Sequence, residues 1–540
     1  MRLPFALAAI VGVAIVAVWA WLGHPVPAPV SPLAAGEKLP CVSYAPFRPG
    51  QSPFNAGLVI PAWQIDDDFE RLSKITQCVR TYSTEMGLHV VPELARKHGL
   101  TVLQGIWIGR DPANNRIEID AAVKAAQENP DVIKAVIVGN EVLLRGEQSA
   151  VDLAALIKDV RAKVPASVQV TYADVWEFWE RNRDLANSVD FVTVHILPFW
   201  EDLPVAAEKS VAHLDEIRQH VGKVFAGKDI LIGETGWPSE GRMREGALPS
   251  PSNQANVIQQ LLALAKEKNY RLNVIEAFDQ PWKRASEGTV GGHWGFLDAY
   301  SRDFKFAWGQ PVSDHPGWMW QALVGLAVAG GIFGAAALGR RRAGAAALET
   351  RHWLAVSGTA FFAGLMYGRL IATVSVESLG AGGWIRGIAM LVLALAVPLA
   401  CAVAIGARAR LVTLAAALNP ALLTGWTVLE RGVAFLLAAS VVLAVQIAFG
   451  LVFDPRYKDF QFAGLTPIIA AFAFYAMVAP AREGVQGRQA EALAAAIFLG
   501  SGLYIALNET FANWQGLWTG ALLVVLSLTL ARLATAGRTR

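Results

Sequence analysis

The chain has 540 residues, 54% of them hydrophobic and only 17% charged, with a formal net charge of +2. Soluble domains usually carry about a quarter charged residues, so membrane spans are expected. The near-neutral charge offers no electrostatic footprint for a nucleic-acid partner. Three cysteines, Cys41, Cys78 and Cys401, lack zinc-site spacing and allow at most one bridge, and nothing in the composition suggests a metal or organic cofactor.

Residues 5–22 form an uninterrupted apolar stretch behind Arg2. It is longer than the roughly 7–15 residues of a signal-peptide core, which favours an uncleaved anchor over 1–23 against a cleaved signal peptide. Residues 24–40 read as a linker that opens with a semi-rigid, proline-rich spacer, HPVPAPVSP. From 41 to 308 short β-branched runs alternate with amphipathic helical stretches. The strand candidates are 41–46, 78–83, 101–108, 135–141, 169–175, 191–199, 229–237 and 273–279. Helical patterns fall at 66–75, 88–98, 119–127, 150–164, 211–221 and 253–268. This alternation predicts a parallel sheet wrapped by helices, and eight strands in a domain of this size predict a (β/α)8 barrel of the α/β class. A doubly wound open sheet is the rival, but no glycine-rich phosphate loop follows the first strand.

A second linker covers 309–316. Residues 317–540 then read as an all-α, polytopic transmembrane domain, with apolar runs at 317–338, 353–374, 384–405, 433–453, 462–480, 490–507 and 517–533. Segment 411–428, interrupted by Asn419-Pro420, reads as a broken or re-entrant piece. Arginines concentrate in alternate loops: Arg340, Arg341, Arg342 and Arg351; Arg408, Arg410 and Arg431; Arg482 and Arg488; then Arg532, Arg538 and Arg540. That bias predicts cytoplasmic termini and an outward-facing barrel if 411–428 does not cross. With the N-terminal anchor, eight spans are expected. Arg369 lies within one of them, where it pairs with Glu377 or snorkels, or else marks a functional site.

Within the barrel region the strands begin apolar and end polar, at Tyr82, Trp107, Asn140-Glu141, Asp174, His195, Glu234 and Asp279. A barrel gathers such strand ends on its C-terminal face, where these folds keep their chemistry. Glycoside cleavage with retention needs two carboxyl groups about 5–5.5 Å apart, one to protonate the leaving oxygen and one to attack. Glu141 and Glu234, at the ends of strands four and seven, suit that role, and Asn140 is placed to bond a sugar 2-hydroxyl. Spacing alone also admits Glu85, Asp174, Glu276 and Asp279. Trp107, Trp176, Trp179, Trp200, Trp237, Trp282 and Trp294 all follow strand ends, as stacking platforms for sugar faces would. Cys41 and Cys78 open neighbouring strands at the opposite end of the barrel. They are expected either to form a structural disulfide or to pack as small core residues.

The segments VIVGNEVL (136–143) and ILIGETGWPSEG (230–241) resemble the two signature segments of glycoside hydrolase family 17, the β-1,3-glucanase family. RTYST (80–84), GLTVLQGIWIG (99–109), VDFVTVHILPFWE (189–201) and EAFDQPWK (276–283) resemble further segments of that family in the same order. The resemblance spans 41–300. It implies Glu141 as acid/base and Glu234 as nucleophile, with Glu276 and Lys283 near a supporting glutamate and lysine. Tyr82, Trp107, Asn140, His195, Trp200, Trp237 and Trp282 are the further expected substrate contacts. Many relatives place a tyrosine after strand six where this chain has VHILPFW, and His195 stands as its replacement or as a rim residue. The implied activity is hydrolysis of a β-1,3-glucan, with glucanosyl transfer or non-catalytic glucan sensing or export as alternatives. The implied setting is the bacterial cytoplasmic (inner) membrane, with a periplasmic catalytic domain, the lipid bilayer around the spans and a glucan synthase as a partner.

Overall fold

The computed structural model describes residues 2–481 and 489–535. Arg482, Arg488, Arg538 and Arg540, part of the loop count above, lie outside the described residues. The chain forms two units. One comprises Val26–Glu240 with Gly246–Val312; the other comprises Met1–Pro25, Gly241–Glu245 and Ser313–Arg540.

The first unit contains eight parallel strands: β1 (Val42–Ser43), β2 (Cys78–Arg80), β3 (Thr101–Ile106), β4 (Ile133–Asn140), β5 (Gln169–Val175), β6 (Val192–His195), β7 (Ile230–Glu234) and β8 (Arg271–Leu272). They pair in sequence order. The sheet closes through Val274, which pairs with Val42; its N–H donates to Cys41 O at 3.0 Å and its C=O accepts from Ser43 N at 2.9 Å. A curled parallel sheet with helices between its strands is the expected (β/α)8 arrangement.

The long helices start where their sequence signals stand. Ser149 accepts from Asp152 N ahead of the helix Ala150–Lys163, and Ser250 accepts from Asn253 N ahead of Pro251–Lys268, each satisfying a free N–H of the first turn. Outward strand residues such as Val79, Val102, Val136, Val138, Val194 and Ile232 pack against the helices in one large core. The alternate residues Cys41, Cys78, Leu103, Ala135, Ile137, Ala173, Phe191 and Leu231 form a separate small core. Because side chains alternate along a strand, these face the barrel interior. Cys41 and Cys78 are disulfide-bonded within this plug, with Cα atoms 4.4 Å apart. The two expectations for this pair thus coincide: a bridge that is also core.

The eighth strand begins two residues earlier than expected, at Arg271. Its regular pairing ends at Leu272, but residues 273–277 carry the strand on: Asn273 N donates to Ile232 O at 2.9 Å and Ile275 N to Thr235 O at 2.9 Å on the β7 side. On the other side Val274 and Ala277 bond β1, Ala277 N to Ser43 O at 2.9 Å, and from Glu276 onward residues 294–297 take the place of β7. There Phe296 N donates to Glu276 O at 3.1 Å and Asp279 N to Leu297 O at 2.9 Å. The apolar pattern is that of the eighth strand, and its C-terminal end gains a distant loop as partner that periodicity does not reveal.

The second unit contains seven helices, among the described residues, that are long and apolar enough to cross a membrane: Arg2–Leu22, Trp318–Arg342, Thr350–Glu377, Gly380–Ala407, Val428–Phe453, Gln489–Asn508 and Trp514–Thr535. The expected span at 462–480 is a shorter apolar helix, Phe462–Val478, of 17 residues, at the lower limit for a bilayer. Segment 411–428 is broken as expected, into Leu414–Leu418 and a 3-10 turn Pro420–Leu423. Helices approach closely at glycine: a Cβ on Gly325 would lie 2.3 Å from Gly364 O. Arg369 Nη1 lies 3.3 Å from His315 Nδ1, and its charge also acts on Glu377, the partner expected for it.

Candidate active site

Two register shifts aim the site. Between β4 and β5 the pairing moves from Ile137↔Thr171 to Asn140↔Ala173, and between β6 and β7 from Val194↔Ile232 to His195↔Glu234. Such irregularities re-aim side chains at strand ends. At the first, Gly139 (φ 91°) and Glu141 (φ 54°) both adopt left-handed backbone conformations. Any Cβ at residue 139 would also meet Val142 Cγ2 at 2.5 Å, so glycine is required there for both reasons. At the second, His195 is brought level with Glu234.

These devices bring Glu141, His195 and Glu234 together, with one ligand-type atom from each lying within 4.8 Å of the others. His195 Nδ1 is 2.8 Å from Glu141 Oε1, and its Nε2 is 3.7 Å from Glu234 Oε1. Arg80, fully buried, donates from Nη1 to Glu234 Oε1 at 3.1 Å and to Gly233 O at 2.8 Å, and from Nη2 to Asn140 Oδ1. The same Nη1 is 3.3 Å from His195 Nε2. A guanidinium has no lone pair to offer, so Nε2 is the acceptor there and Nδ1 carries the hydrogen that Glu141 accepts. Tyr82 donates its hydroxyl to Glu234 Oε1 at 2.8 Å and accepts from the Ser43 hydroxyl, with Oγ at 2.9 Å. The phenol beside Glu234 thus comes from the end of β2 rather than β6.

The two carboxyls therefore differ in environment. Burial alone would raise the Glu234 carboxyl, but the His195 ring, Arg80, Lys283 and the Tyr82 hydroxyl hold it below the usual range. Behind it lies a second acidic group: burial pushes Glu276 up to about 7 against the opposing charge of Lys283, whose Nζ is 2.9 Å from both Glu276 oxygens. Burial would lower Lys283, yet Glu276 and Glu287 hold it above its ordinary value. By donor type Glu141, His195 and Glu234 resemble a metal site. The Arg80 guanidinium already places a fixed cation within 3.3 Å of both His195 Nε2 and Glu234 Oε1, which disfavours a second.

The aromatic residues expected to meet sugar divide into three groups, apart from Trp176, which is half-buried, and Trp179 and Trp294, which are buried and present no open face. Trp107 is 43% exposed, and the Arg145 guanidinium lies 4.2 Å from its ring centroid. Trp200 and Trp282 are half-buried: Trp200 stacks near Trp294 at 6.4 Å, and Trp282 donates from Nε1 to Gln280 Oε1 and meets Phe47 and Phe54 edge-on. Trp237 is a correction. It is wholly buried and its indole N–H donates to Leu248 O at 3.0 Å, so it supports the rim from beneath and offers no face to a ligand.

Residues 41–295 match the model of the BtgE/BtgC glycoside hydrolase domain. This domain is a glycosidase. The chain is similar to a glucan 1,3-beta-glucosidase of Arthroderma benhamiae, 29% identical over 281 residues, covering 47% of this chain and 89% of the relative. It is 32% identical over 228 residues to a probable beta-glucosidase btgE of Aspergillus clavatus, covering 41% of this chain and 39% of that protein. The match thus spans about two-fifths of the btgE relative's length. A glycoside hydrolase family 17 beta-1,3-glucanosyltransferase of Rhizomucor miehei aligns with 50% of the chain and 96% of its own, at 26% identity and a TM-score of 0.44.

In this glycosidase Arg80 is a site residue beyond those expected from sequence, although its position carries a signal. An arginine inside an apolar strand (CVRTY) must meet a carboxylate or carbonyl when buried, because an unpaired charge there is prohibitively costly. Asn273, which donates to Gly233 O at 2.6 Å and Ser43 Oγ at 2.8 Å beneath Glu234, gave no such signal.

Proposed function

We propose that the glycosidase is a retaining β-1,3-glucan hydrolase facing outward from the cytoplasmic membrane, with Glu234 as nucleophile and Glu141 as acid/base. The observation that carries this reading is the unequal treatment of two neighbouring carboxyls. Glu234 receives Arg80 and Tyr82 and is held ionised; Glu141 receives the His195 ring and keeps a partly exposed side chain. Divergent environments for adjacent acids are how such pairs divide their roles. Their closeness favours retention over inversion, which needs about 6.5–9.5 Å.

In this mechanism a Glu234 oxygen attacks the anomeric carbon while Glu141 delivers its proton to the departing glycosidic oxygen, leaving a glycosyl ester on Glu234. Glu141, now a carboxylate, takes a proton from incoming water as that water opens the ester, which restores both groups. Transfer replaces the water by a sugar hydroxyl. Trp107 favours this second reading: it is exposed beyond β3, backed by Arg145, which also bonds Asn140 O and Ile108 O beside Glu141. An exposed ring fixed on one face is a platform for an acceptor sugar.

The test is the full-length protein in detergent with laminari-oligosaccharides. Shorter products are expected from hydrolysis and longer ones from transfer. Glu234→Ala should abolish both, and azide should restore a product of inverted anomeric form. Near-normal turnover by Glu234→Ala would refute the assignment. The outward orientation follows from the arginine-rich alternate loops, and reporter fusions at the loop termini would check it.

A further inference from the structure

We propose that Asp174 is a positioning residue, clamping the turn that follows Glu141 and thereby holding the acid/base in its left-handed backbone conformation. This rests on the reading of Glu141 given above and names a residue that acts through it. A non-glycine residue at positive φ costs about 1–2 kcal/mol and persists only when its surroundings impose it. Around Glu141 (φ 54°) the imposing groups come from β5. Glu141 N donates to Ala173 O at 2.8 Å. Beyond it the chain turns, with Arg145 N donating to Glu141 O at 2.9 Å and Glu147 N to Val142 O at 3.0 Å.

Asp174 stands beneath that turn, fully buried. Its Oδ2 accepts from Leu143 N at 3.2 Å and Leu144 N at 3.4 Å, and its Oδ1 from Val175 N at 2.7 Å. The Tyr172 hydroxyl donates to the same Oδ2 while accepting from Leu143 N at 3.0 Å. One carboxylate and one phenol thus cap the first N–H groups of the turn, as a side chain caps a helix N-terminus. Without the cap, Leu143 and Leu144 lose their acceptors, Glu141 relaxes toward negative φ, and its carboxyl leaves the His195 ring. Burial raises the Asp174 carboxyl to about 6 despite the Tyr172 bond, and the neighbouring Glu141 charge adds to this, which fits a group held close to the acid/base.

A loss confined to acid catalysis distinguishes this role from general destabilisation. In the full-length enzyme, Asp174→Ala should slow turnover of laminari-oligosaccharides about 10²-fold, the cost of misplacing a reacting group by about 1 Å. Turnover of 2,4-dinitrophenyl β-laminaribioside, whose leaving group needs no proton, should change less than about threefold in the glycosylation step. Asp174→Asn, which keeps an acceptor oxygen, should recover part of the loss and guards against failure of the alanine variant to fold. In a Glu141→Gln background, Asp174→Asn should add nothing further. Equal losses on both substrates, or an additive loss in the double variant, would overturn the proposal. If Glu141→Gln itself shows no contrast between the two substrates, the acid/base reading fails and the proposal falls with it.

Discussion

Arg80 is the group whose removal most directly tests the electrostatics of the site. With Glu234 as the proposed nucleophile, which must be ionised to attack, kcat/KM should fall as pH drops through its ionisation. The Arg80 guanidinium is 3.1 Å from Glu234 Oε1, and both groups are buried. At an effective dielectric of about 20, two unit charges at that separation attract by about 5 kcal/mol, an upper bound of about 4 pKa units. Tyr82 and Lys283 remain after the substitution, and measured effects of one adjacent cation run to about 1–3 units. Arg80→Gln should therefore move the acidic limb upward by about 1–3 units. The sign follows from Glu234, which is now held below the usual range and would lose a principal source of that depression. The assay is the pH dependence of kcat/KM on an activated aryl glycoside, which removes any demand on Glu141. Arg80→Lys, which keeps the charge but loses the fork to Asn140 and Gly233, should leave the limb nearer its original place while lowering kcat. An unmoved limb in a folded, substrate-binding Arg80→Gln enzyme would refute the assignment of Glu234's ionisation to this pair.

Two further outcomes concern stability. The Cys41–Cys78 bridge closes a separation of 37 residues, for which the chain-entropy model gives about 4 kcal/mol. Replacing both by serine should lower the barrel's unfolding free energy by about 2–4 kcal/mol in denaturant titrations without changing KM; free thiols at both positions in the exported protein would remove the effect and the premise of an oxidising compartment. Glu276, raised to about 7 from an ordinary 4.5, stabilises the fold fully only below about pH 4.5, a contribution lost as pH rises through about 7. Relative to wild type, Glu276→Gln should therefore gain up to about 3 kcal/mol between pH 4 and pH 8, measured by unfolding at each pH; a constant difference would show that Lys283 neutralises the buried carboxyl throughout.

The barrel was legible because its signals are local and repeated: period-two apolar runs, helices with serine caps, and polar strand ends that a closed sheet must gather on one rim. The pair Glu141 and Glu234 was legible for the same reason, since each ends a strand in a glycine-flanked context. What sequence could not supply is what depends on contacts between distant segments. The phenol beside Glu234 was sought after strand six, where its absence made His195 a candidate substitute; it arrives from Tyr82, 152 residues away. Residues 273–279 carry the eighth strand's pattern, and what pattern alone misses is the exchange of β7 for residues 294–297 at its C-terminal end. Trp237 lies in the most specific motif of the chain and still faces inward, because a residue three positions beyond Glu234 can be demanded by packing as strictly as by substrate.

His195 shows how the two kinds of information combine. Sequence placed a histidine at the end of strand six and left it between a rim residue and a replacement for the missing tyrosine. The register shift at Val194/His195 sets it opposite Glu234, and Arg80 on its Nε2 side leaves only Nδ1 to donate to Glu141. It therefore does not replace the phenol, which Tyr82 provides. It joins the two carboxyls through one ring whose hydrogen position is dictated by an arginine on another strand. A change in charge at either carboxyl is thus felt at the other through a buried, polarisable ring as well as through space. Such coupling suits a reaction in which Glu141 must hold a proton while Glu234 is an anion and release it once Glu234 is esterified.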